Sequence, residues 1–420
     1  MPSETVELRG HILDDQALPR VLDLVLAFGG EYKIDNLRVG HARRDPSFAR
    51  VLIEAPTRKA LSQILEQVTR LGAVLARQPE VKWEAAPKDG VLPDDFYATT
   101  NLPTEVFWRK KWIPVENAEM DCGLVRVRGG ELRCVRMHKV RKGDFVAVGH
   151  EGIRVEPLAR QGGAHAEFEF MSSAVSSEKP KLLMIREIAR RIRAVRHEGR
   201  KVLFVGGPAI VHTGAASHLQ ALIEAGFVDL LFTGNALAAH DIEAGMFGTS
   251  LGVSLSSGHS VEHGHENHLR AINRIRRVGS IAAAVKSGLV ADGVMAACVR
   301  KKVQYVLVGS IRDDGPLPDV ITDMPEAQDA MRALLPGVGV AIMVGTMLTS
   351  IAVGNMLPSS VWTVCVDINP AVVTKLADRG TAQALGLVTD AELFLRTLSR
   401  ELGLATPREK KPSRKRGKSR

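Results

Sequence analysis

The sequence has few of the features that mark secreted, membrane or metal-stapled proteins. Only four cysteines occur among 420 residues, and no two form a C-x-x-C pair, which argues against a disulfide framework or a structural zinc site. No apolar run approaches the roughly 20 residues that a membrane-spanning helix needs. The first ten residues, MPSETVELRG, lack the basic region followed by an apolar stretch that a secretory signal has. These absences predict a cytoplasmic protein with no membrane partner.

Aromatic residues and several common motifs are also missing. Aromatics make up 5% of the chain, so we expect a mainly aliphatic core. The chain contains no G-x-G-x-x-G dinucleotide fingerprint, no P-loop and no G-x-S-x-G elbow. The absence of the elbow argues against a serine hydrolase, and the absence of the P-loop argues against an enzyme driven by nucleoside triphosphate.

Negative charge is scarce at the C-terminal end. The formal net charge is +9, but residues 408–420 hold eight Lys or Arg and one Glu, which leaves +2 for the other 407 residues. We therefore predict a nearly neutral folded body and a disordered basic tail over 405–420. The tail serves solubility or makes weak, salt-sensitive contacts with nucleic acid or other anions.

Five short apolar runs in the second half of the chain each stop at a glycine or a small polar residue. Runs this short and this rich in Val, Ile and Leu predict strands buried on both faces, as in a parallel sheet covered by helices. Ligands bind such sheets beyond the carboxyl ends of the strands. Glycine, hydroxyl, amide and carboxylate groups stand there, so the pattern predicts a nucleotide site. The runs are 201–207 (KVLFVGG), 228–235 (VDLLFTGN), 303–310 (VQYVLVGS), 340–346 (VAIMVGT) and 361–369 (VWTVCVDIN).

The patterns before these runs predict two smaller units. Residues 1–90 combine strand-like runs with an amphipathic helical pattern over 57–76, which indicates a small α+β domain. Residues 91–176 alternate short strand-like pieces with glycine-rich turns, which indicates a mainly antiparallel β domain. The alternation of strands and helices then predicts one domain over 177–404.

Two strand ends carry candidate cofactor groups. Gly206 and Gly207 let a phosphate approach the backbone, although a tight turn into a helix needs glycine for steric reasons alone. Asp367 follows the fifth run, where an acidic residue commonly holds an adenosine ribose and so favours NAD over NADP. Asn369 stands beside it, and these residues could equally cap a helix that begins at Pro370.

Titratable residues cluster in two further segments. His240, Asp241 and Glu243 follow the second run, either as site residues or as a polar helix start. Four histidines lie within ten residues, but two glycines interrupt any helical ligand pair, so we predict no metal and a polar loop at the mouth of the site. These histidines are His259, His263, His265 and His268.

Five segments resemble one family, the family of the LOR/SDH (lysine-oxoglutarate reductase/saccharopine dehydrogenase) conserved region. Its members include the archaeal-type ornithine cyclodeaminases and the C-terminal part of a bifunctional arginine dihydrolase/ornithine cyclodeaminase. The resemblance covers about residues 3–403. The segments are 30–40 (GEYKIDNLRVG), 99–106 (TTNLPTEV), 119–122 (EMDC), 234–243 (GNALAAHDIE) and 366–380 (VDINPAVVTKLADRG).

The resemblance implies a Rossmann-like C-terminal sheet of the deoxyhypusine-synthase type and NAD as the cofactor. The implied cofactor-binding residues are Gly206, Gly207, Gly234, Asn235, Ala236, Ser310, Gly345, Thr346, Asp367 and Asn369. The implied catalytic residues are Asp121, Cys122, His240 and Asp241. The implied substrate-binding residues are Asn101, Thr104 and Arg312.

The resemblance also implies a redox-neutral conversion of L-ornithine to L-proline and ammonia through a cyclic imine, in a protein expected to form a homo-oligomer. Two alternatives remain open: another NAD(P)-dependent oxidoreductase of an amino or imino acid, and a non-enzymatic NAD-binding subunit. Neither the general base nor the choice between ornithine and a longer diamino acid follows from the sequence.

Overall fold

A computed structural model describes the chain in two compact units, Met1–Ser172 and Ser173–Arg420. The described residues are all except 11, 13–15, 41–44, 46, 77–78, 128–129, 156–174, 177–180, 251–252, 255–258, 260, 262–265, 314, 379–383 and 406–420. The predicted basic tail lies almost wholly outside them. Among the described residues no helix is both long and apolar enough to cross a membrane.

The first unit begins with an antiparallel sheet under two helices. In the part of the chain that the structure describes, four strands pair in the order β2-β3-β1-β4. Alternate residues of β3 are buried, and α2 begins at Thr57, whose hydroxyl accepts a hydrogen bond from the Ala60 N–H. The elements are β1 (Ser3–Gly10), α1 (Ala17–Ala27), β2 (Glu31–Arg38), β3 (Ser47–Glu54), α2 (Arg58–Arg70) and β4 (Val74–Leu75).

A second sheet completes the first unit. Its seven described strands lie in the order β11-β6-β7-β9-β8-β10-β5, and all pair antiparallel except β7 with β9. The predicted β character of this region is therefore confirmed, with one parallel pair. The predicted division of the unit near residue 90 stays a prediction. The strands are β5 (Lys82–Ala85), β6 (Thr104–Trp108), β7 (Lys111–Glu116), β8 (Gly123–Arg126), β9 (Leu132–Val135), β10 (Phe145–Val148) and β11 (Ile153–Val155).

The second unit is built on a parallel sheet. Over the described ranges eight strands run in the order β12-β21-β20-β19-β13-β14-β17-β18. All five predicted runs are strands of this sheet, and every residue of β19 is buried. A short antiparallel pair, β15 (Thr249–Ser250) and β16 (Val253–Ser254), lies apart. The sheet strands are β12 (Val175–Ser176), β13 (Lys201–Gly206), β14 (Leu230–Gly234), β17 (Gln304–Val308), β18 (Val320–Ile321), β19 (Val338–Val344), β20 (Trp362–Asp367) and β21 (Ala384–Val388).

Helices cover both faces of this sheet. Successive strand residues point to opposite sides, so each apolar strand packs against both layers of helices. Phe204 and its neighbours pack with α3, α5, α6, α9 and α13 on a first face, whereas Val205 packs with α10, α11 and α12 on a second face. The helices are α3 (Lys181–His197), α4 (Ala209–His212), α5 (Ala216–Glu224), α6 (Asn235–Phe247), α7 (Asn267–Val278), α8 (Ile281–Lys286), α9 (Val294–Lys301), α10 (Met324–Leu334), α11 (Leu348–Met356), α12 (Pro370–Asp378) and α13 (Ala391–Glu401).

The sequence patterns over 212–225 and 268–287 each predict one continuous helix, but the structure breaks both. Gly214, at φ 81°, separates α4 from α5, and Gly279, at φ 93°, separates α7 from α8. Only glycine adopts such φ values readily, and Ser280 then caps α8. The sequence also misses β21 and α13, which extend the sheet and its cover at the C-terminal end.

Candidate active site

The connections after two central strands leave the sheet in opposite directions. β13 lies between β14 and β19. The helices after β13 pack on the first face, whereas α11, after β19, packs on the second. Such a switch point opens a crevice at the carboxyl ends of the strands.

Two glycine-containing loops meet at this crevice. The N–H of Gly207 donates to the Val344 carbonyl, and a Cβ on Gly207 would lie 1.9 Å from the Gly345 carbonyl oxygen. Gly345 has a φ of 63°, and Thr346 beside it is half-buried. Gly206 is also crowded, because a Cβ there would lie 2.9 Å from Leu237. Sterics thus require glycine at position 207, where the neighbouring atoms belong to the backbone, whereas the neighbour of Gly206 is the end of a flexible side chain.

The end of β14 leads directly into α6. Gly234 is the N-cap of α6, which has neither a side-chain cap nor an acidic residue in its first turn. The Asn235 side chain is buried and accepts a hydrogen bond from the Leu317 N–H at 3.0 Å. Ala236 follows, half-buried. The start of this helix therefore presents uncapped N–H groups at the sheet edge, where they favour an anion.

The end of β20 carries the predicted ribose carboxylate. Asp367 is half-buried, and its Oδ1 accepts a hydrogen bond from the Asn369 N–H at 2.8 Å. Asn369 in turn accepts from the Ala371 N–H and so begins α12. Within the described residues Oδ2 of Asp367 accepts no hydrogen bond. Ile368, between them, is 73% exposed.

The loop after β17 is held by its own polar groups. Asp313 accepts a hydrogen bond from the Ser310 N–H, and the Ser310 hydroxyl accepts one from the Arg312 N–H. The side chains of Ser310 and Arg312 are both exposed. Exposed apolar side chains at this edge, which sequence reasoning missed, are Ile311, Met347, Leu348 and Ile368.

Asp241, on α6, holds the start of another helix. Its two carboxylate oxygens accept hydrogen bonds from the N–H groups of Val294 and Met295, at 2.9 and 2.8 Å. Gly293, at φ 112°, has no room for a Cβ, which would lie 2.8 Å from the carboxylate. Burial raises the pKa of Asp241 to about 6, although these two hydrogen bonds oppose the rise. The carboxyl group that the sequence predicts as catalytic therefore caps α9.

His240, one residue earlier, contacts different residues from those that Asp241 contacts. Its Nδ1 lies 2.9 Å from Oε2 of Glu243, which is fully buried. Its ring centroid lies 4.9 Å from that of His212 and 6.0 Å from that of His268. We call these four residues the histidine cluster. The helical spacing of His240 and Glu243 could have revealed the pair, but His212 comes from α4, 28 residues earlier.

The other predicted histidines take no described part in this cluster. His259 is exposed, and His263 and His265 lie outside the described residues. Among the residues that the structure describes, no group of three or more His, Cys, Asp or Glu side chains could hold a metal ion.

The remaining candidates lie in the first unit. Thr99 holds the loop of residues 119–122, because its hydroxyl donates to the Glu119 carbonyl and accepts from the Cys122 N–H. Asp121, in this loop, is exposed and has a φ of 61°, which is rare for a residue other than glycine. Cys122 is buried, as are Asn101 and Thr104. Thr99 thus holds the loop that carries Asp121 and Cys122. The positive φ of Asp121 is a strained backbone conformation, which is typical of functional loops.

Comparison with known proteins places the chain in a family. The model described as "Arginine dihydrolase ArgZ-like, C-terminal, Rossmann fold" matches residues 186–398. The "LOR/SDH bifunctional enzyme conserved region" matches 3–102, and the first region of the ArgZ-like C-terminal part matches 103–185. An ornithine cyclodeaminase of Methanothermobacter thermautotrophicus is 50% identical over 403 residues, which cover 96% of this chain and 98% of that protein.

The chain belongs to the LOR/SDH and ArgZ-like family of ornithine cyclodeaminases. Family membership confirms the resemblance that the sequence motifs predict, and with it the Rossmann-like fold of the second unit. The more specific likeness to deoxyhypusine synthase stays a prediction.

Two solved structures of this family cover nearly all of the chain. Apo ArgZ, an arginine dihydrolase of cyanobacteria, has a TM-score of 0.82 and 40% identity. A ternary complex of AgrE with ornithine and NAD⁺ has a TM-score of 0.52 and 42% identity. Each covers 96% of this chain, whereas this chain covers 58% of ArgZ and 57% of AgrE.

Proposed function

We propose that this protein is an NAD-dependent ornithine cyclodeaminase that converts L-ornithine to L-proline and ammonia. The observation that carries this proposal is the 50% identity to an archaeal ornithine cyclodeaminase over 98% of that protein's length. The AgrE complex, in which a relative holds ornithine and NAD⁺, supports the substrate and the cofactor.

The strand ends of the second unit fit NAD. Gly207 and Gly345 leave the crevice free of side chains, and the uncapped start of α6 favours the pyrophosphate. Oδ2 of Asp367 is free of described partners and suits a ribose diol, whereas its charge disfavours a 2′-phosphate. NAD supplies a hydride acceptor for the α-carbon and later a hydride donor for the cyclic imine. The remaining cofactor contacts that we propose are Gly206, Gly234, Asn235, Ala236, Ser310, Thr346 and Asn369.

The chain's own residues must then bind the amino acid and move protons. We assign the proton-accepting role to His240, because its Nδ1 is engaged by Glu243 while Nε2 has no hydrogen-bond partner among the described residues. The contacts of Asp241 favour a role in fixing α9. Asp121 and Cys122 remain candidates in the first unit. Arg312 is exposed and suits the substrate carboxylate, with Asn101 and Thr104 as further substrate contacts.

One assay tests the proposal against its alternatives. Purified protein is incubated with L-ornithine and a small molar fraction of NAD⁺, and proline, ammonia and NADH absorbance are followed. Proline and ammonia in equal amounts, without net NADH, are expected. Net NADH would instead identify an oxidoreductase of amino acids, and cofactor binding without turnover of any diamino acid would identify a non-enzymatic NAD-binding subunit.

We further propose that the enzyme acts in the cytoplasm as a homo-oligomer. The family's metabolic relatives support the location. Self-association is supported by exposed apolar side chains at the end of α1 and on the edge strand β2, namely Leu26, Phe28, Tyr32, Ile34 and Leu37. Any contact of residues 405–420 with anions stays a prediction.

A further inference from the structure

Glu243, on α6, is a fully buried carboxylate. Its Oε2 lies 2.9 Å from Nδ1 of His240, and its Oε1 accepts a hydrogen bond from the Thr249 hydroxyl at 2.8 Å. Thr249 accepts in turn from the Asn267 side-chain amide at 3.0 Å. Groups from β15 and α7 thus fix the carboxylate in place.

This contact sets the hydrogen positions on the His240 ring. An ionised carboxylate only accepts hydrogen bonds, so the hydrogen must sit on Nδ1 of His240. In the neutral ring Nε2 then carries the lone pair, and it has no hydrogen-bond partner among the described residues.

Among the described residues, two more imidazoles face His240. The His212 ring meets it edge-on at 4.9 Å, with its own Nδ1 2.7 Å from the Ser250 hydroxyl, and the His268 ring lies at 6.0 Å. Burial, and next the charge of a protonated His240, lower the pKa of His212. Of the three described imidazoles, His240 is the one whose Nδ1 lies within hydrogen-bond distance of Glu243.

We propose that Glu243 is a positioning residue that holds His240 with Nε2 ready to take a proton from the substrate amine. The proton leaves a nitrogen of the substrate and bonds to Nε2, and the Glu243 carboxylate stabilises the imidazolium that forms. The same proton returns to the departing ammonia. This inference rests on the proposed function. The rival role is a purely structural tie between α6, β15 and α7.

Kinetics of Glu243→Gln separate the two roles. The substitution keeps the volume and removes the charge, so we expect kcat for ornithine to fall about 100-fold, within the usual contribution of acid–base catalysis. KM and the Kd for NAD should stay within about threefold. A matched control, Glu224→Gln, removes an exposed carboxylate of α5 and should keep wild-type kinetics.

A double variant tests whether Glu243 acts through His240. In a His240→Asn background, adding Glu243→Gln should cause no further loss of kcat beyond about twofold, since the residue through which it acts is already gone. Additive losses of kcat in the double variant, or wild-type kcat in Glu243→Gln alone, would overturn the proposal.

An NMR measurement tests the same role without turnover. In ¹⁵N-labelled protein, assigned with the His240→Asn variant, the neutral His240 ring should carry its hydrogen on Nδ1. In Glu243→Met, which removes the acceptor at similar volume, the hydrogen should move to Nε2. An unchanged ring would overturn the role of Glu243 whatever the enzyme does. Failure of the wild type to form proline, with the hydrogen seen to move, would overturn only the proposed function.

Discussion

Two aspartates in the second unit have the same side chain and different surroundings. Asp241 is buried, and both of its oxygens accept hydrogen bonds from the start of α9. Asp367 is half-buried at the sheet edge, and only its Oδ1 is engaged by described residues. A carboxylate with a free oxygen at a strand end can bind a ligand, whereas one with both oxygens satisfied serves the fold. Asp367 is therefore the better candidate for contact with the cofactor.

Replacing Asp367 with alanine should weaken NAD binding by about 10- to 100-fold, because a hydrogen bond to a charged group contributes about 1.5–3 kcal/mol. Isothermal titration with NAD⁺ measures the change. The matched control is Asp229→Ala, which removes a carboxylate from the amino end of β14, where it accepts from the Val202 N–H. The control should lose stability and keep its NAD affinity; equal affinities in Asp367→Ala and the wild type would refute the ribose assignment.

Among the elements, α6 has the greatest share of the candidate site. It starts at a strand end, is buried over most of its length, and carries His240 and Glu243 toward one group of neighbours and Asp241 toward another. An apolar helix buried this fully can carry polar groups only where partners satisfy them. The polar residues of α6 thus fix the positions of α9 and β15.

Stability should depend on pH through Asp241. Its pKa in the folded protein, about 6, lies above the ordinary value of 3.8, so the unfolded chain ionises first. The group therefore costs stability progressively as pH rises from about 4 to 6, and by about 3 kcal/mol above that range. Asp241→Asn removes this dependence. Urea unfolding should show wild type losing stability relative to Asp241→Asn between pH 4.5 and 7.5.

The control for this experiment is Asp23→Asn, on the exposed side of α1. Its difference in stability from the wild type should be the same at both pH values. If the difference in the free energy of unfolding between wild type and Asp241→Asn does not change with pH, the assigned environment of Asp241 is wrong.

At the scale of the whole molecule, 96% of the chain matches its archaeal relative, and the chain covers more than half of the longer ArgZ and AgrE chains. Its first unit exposes apolar side chains beside an open sheet edge. Tyr32, Ile34 and Leu37 lie opposite fully buried residues of β3, yet each is more than a third exposed. Exposed apolar clusters of this kind are typical of interfaces.

We expect Leu26→Ser combined with Phe28→Ser to lower the molar mass of the oligomer in solution, because these are the most exposed apolar side chains at the end of α1. Light scattering coupled to size-exclusion chromatography at micromolar concentration measures it. Leu269→Ser with Val278→Ser, which are also apolar and exposed on α7, is the control and should keep the wild-type mass. A monomeric wild type, or an unchanged mass in the first variant, would refute an interface formed by the end of α1 and β2.

The sequence by itself determined the parallel sheet, because strands buried on both faces must be apolar throughout, and a run such as 340–346 shows this without any neighbour. It also determined which groups stand at the strand ends, since those follow each run directly. Only the tertiary structure decided that Asp241 caps α9, 53 residues away, and that Glu243 holds His240 beside His212. Contacts between distant segments leave no local period in a sequence, so the partners of a polar side chain become known only when the chain is folded.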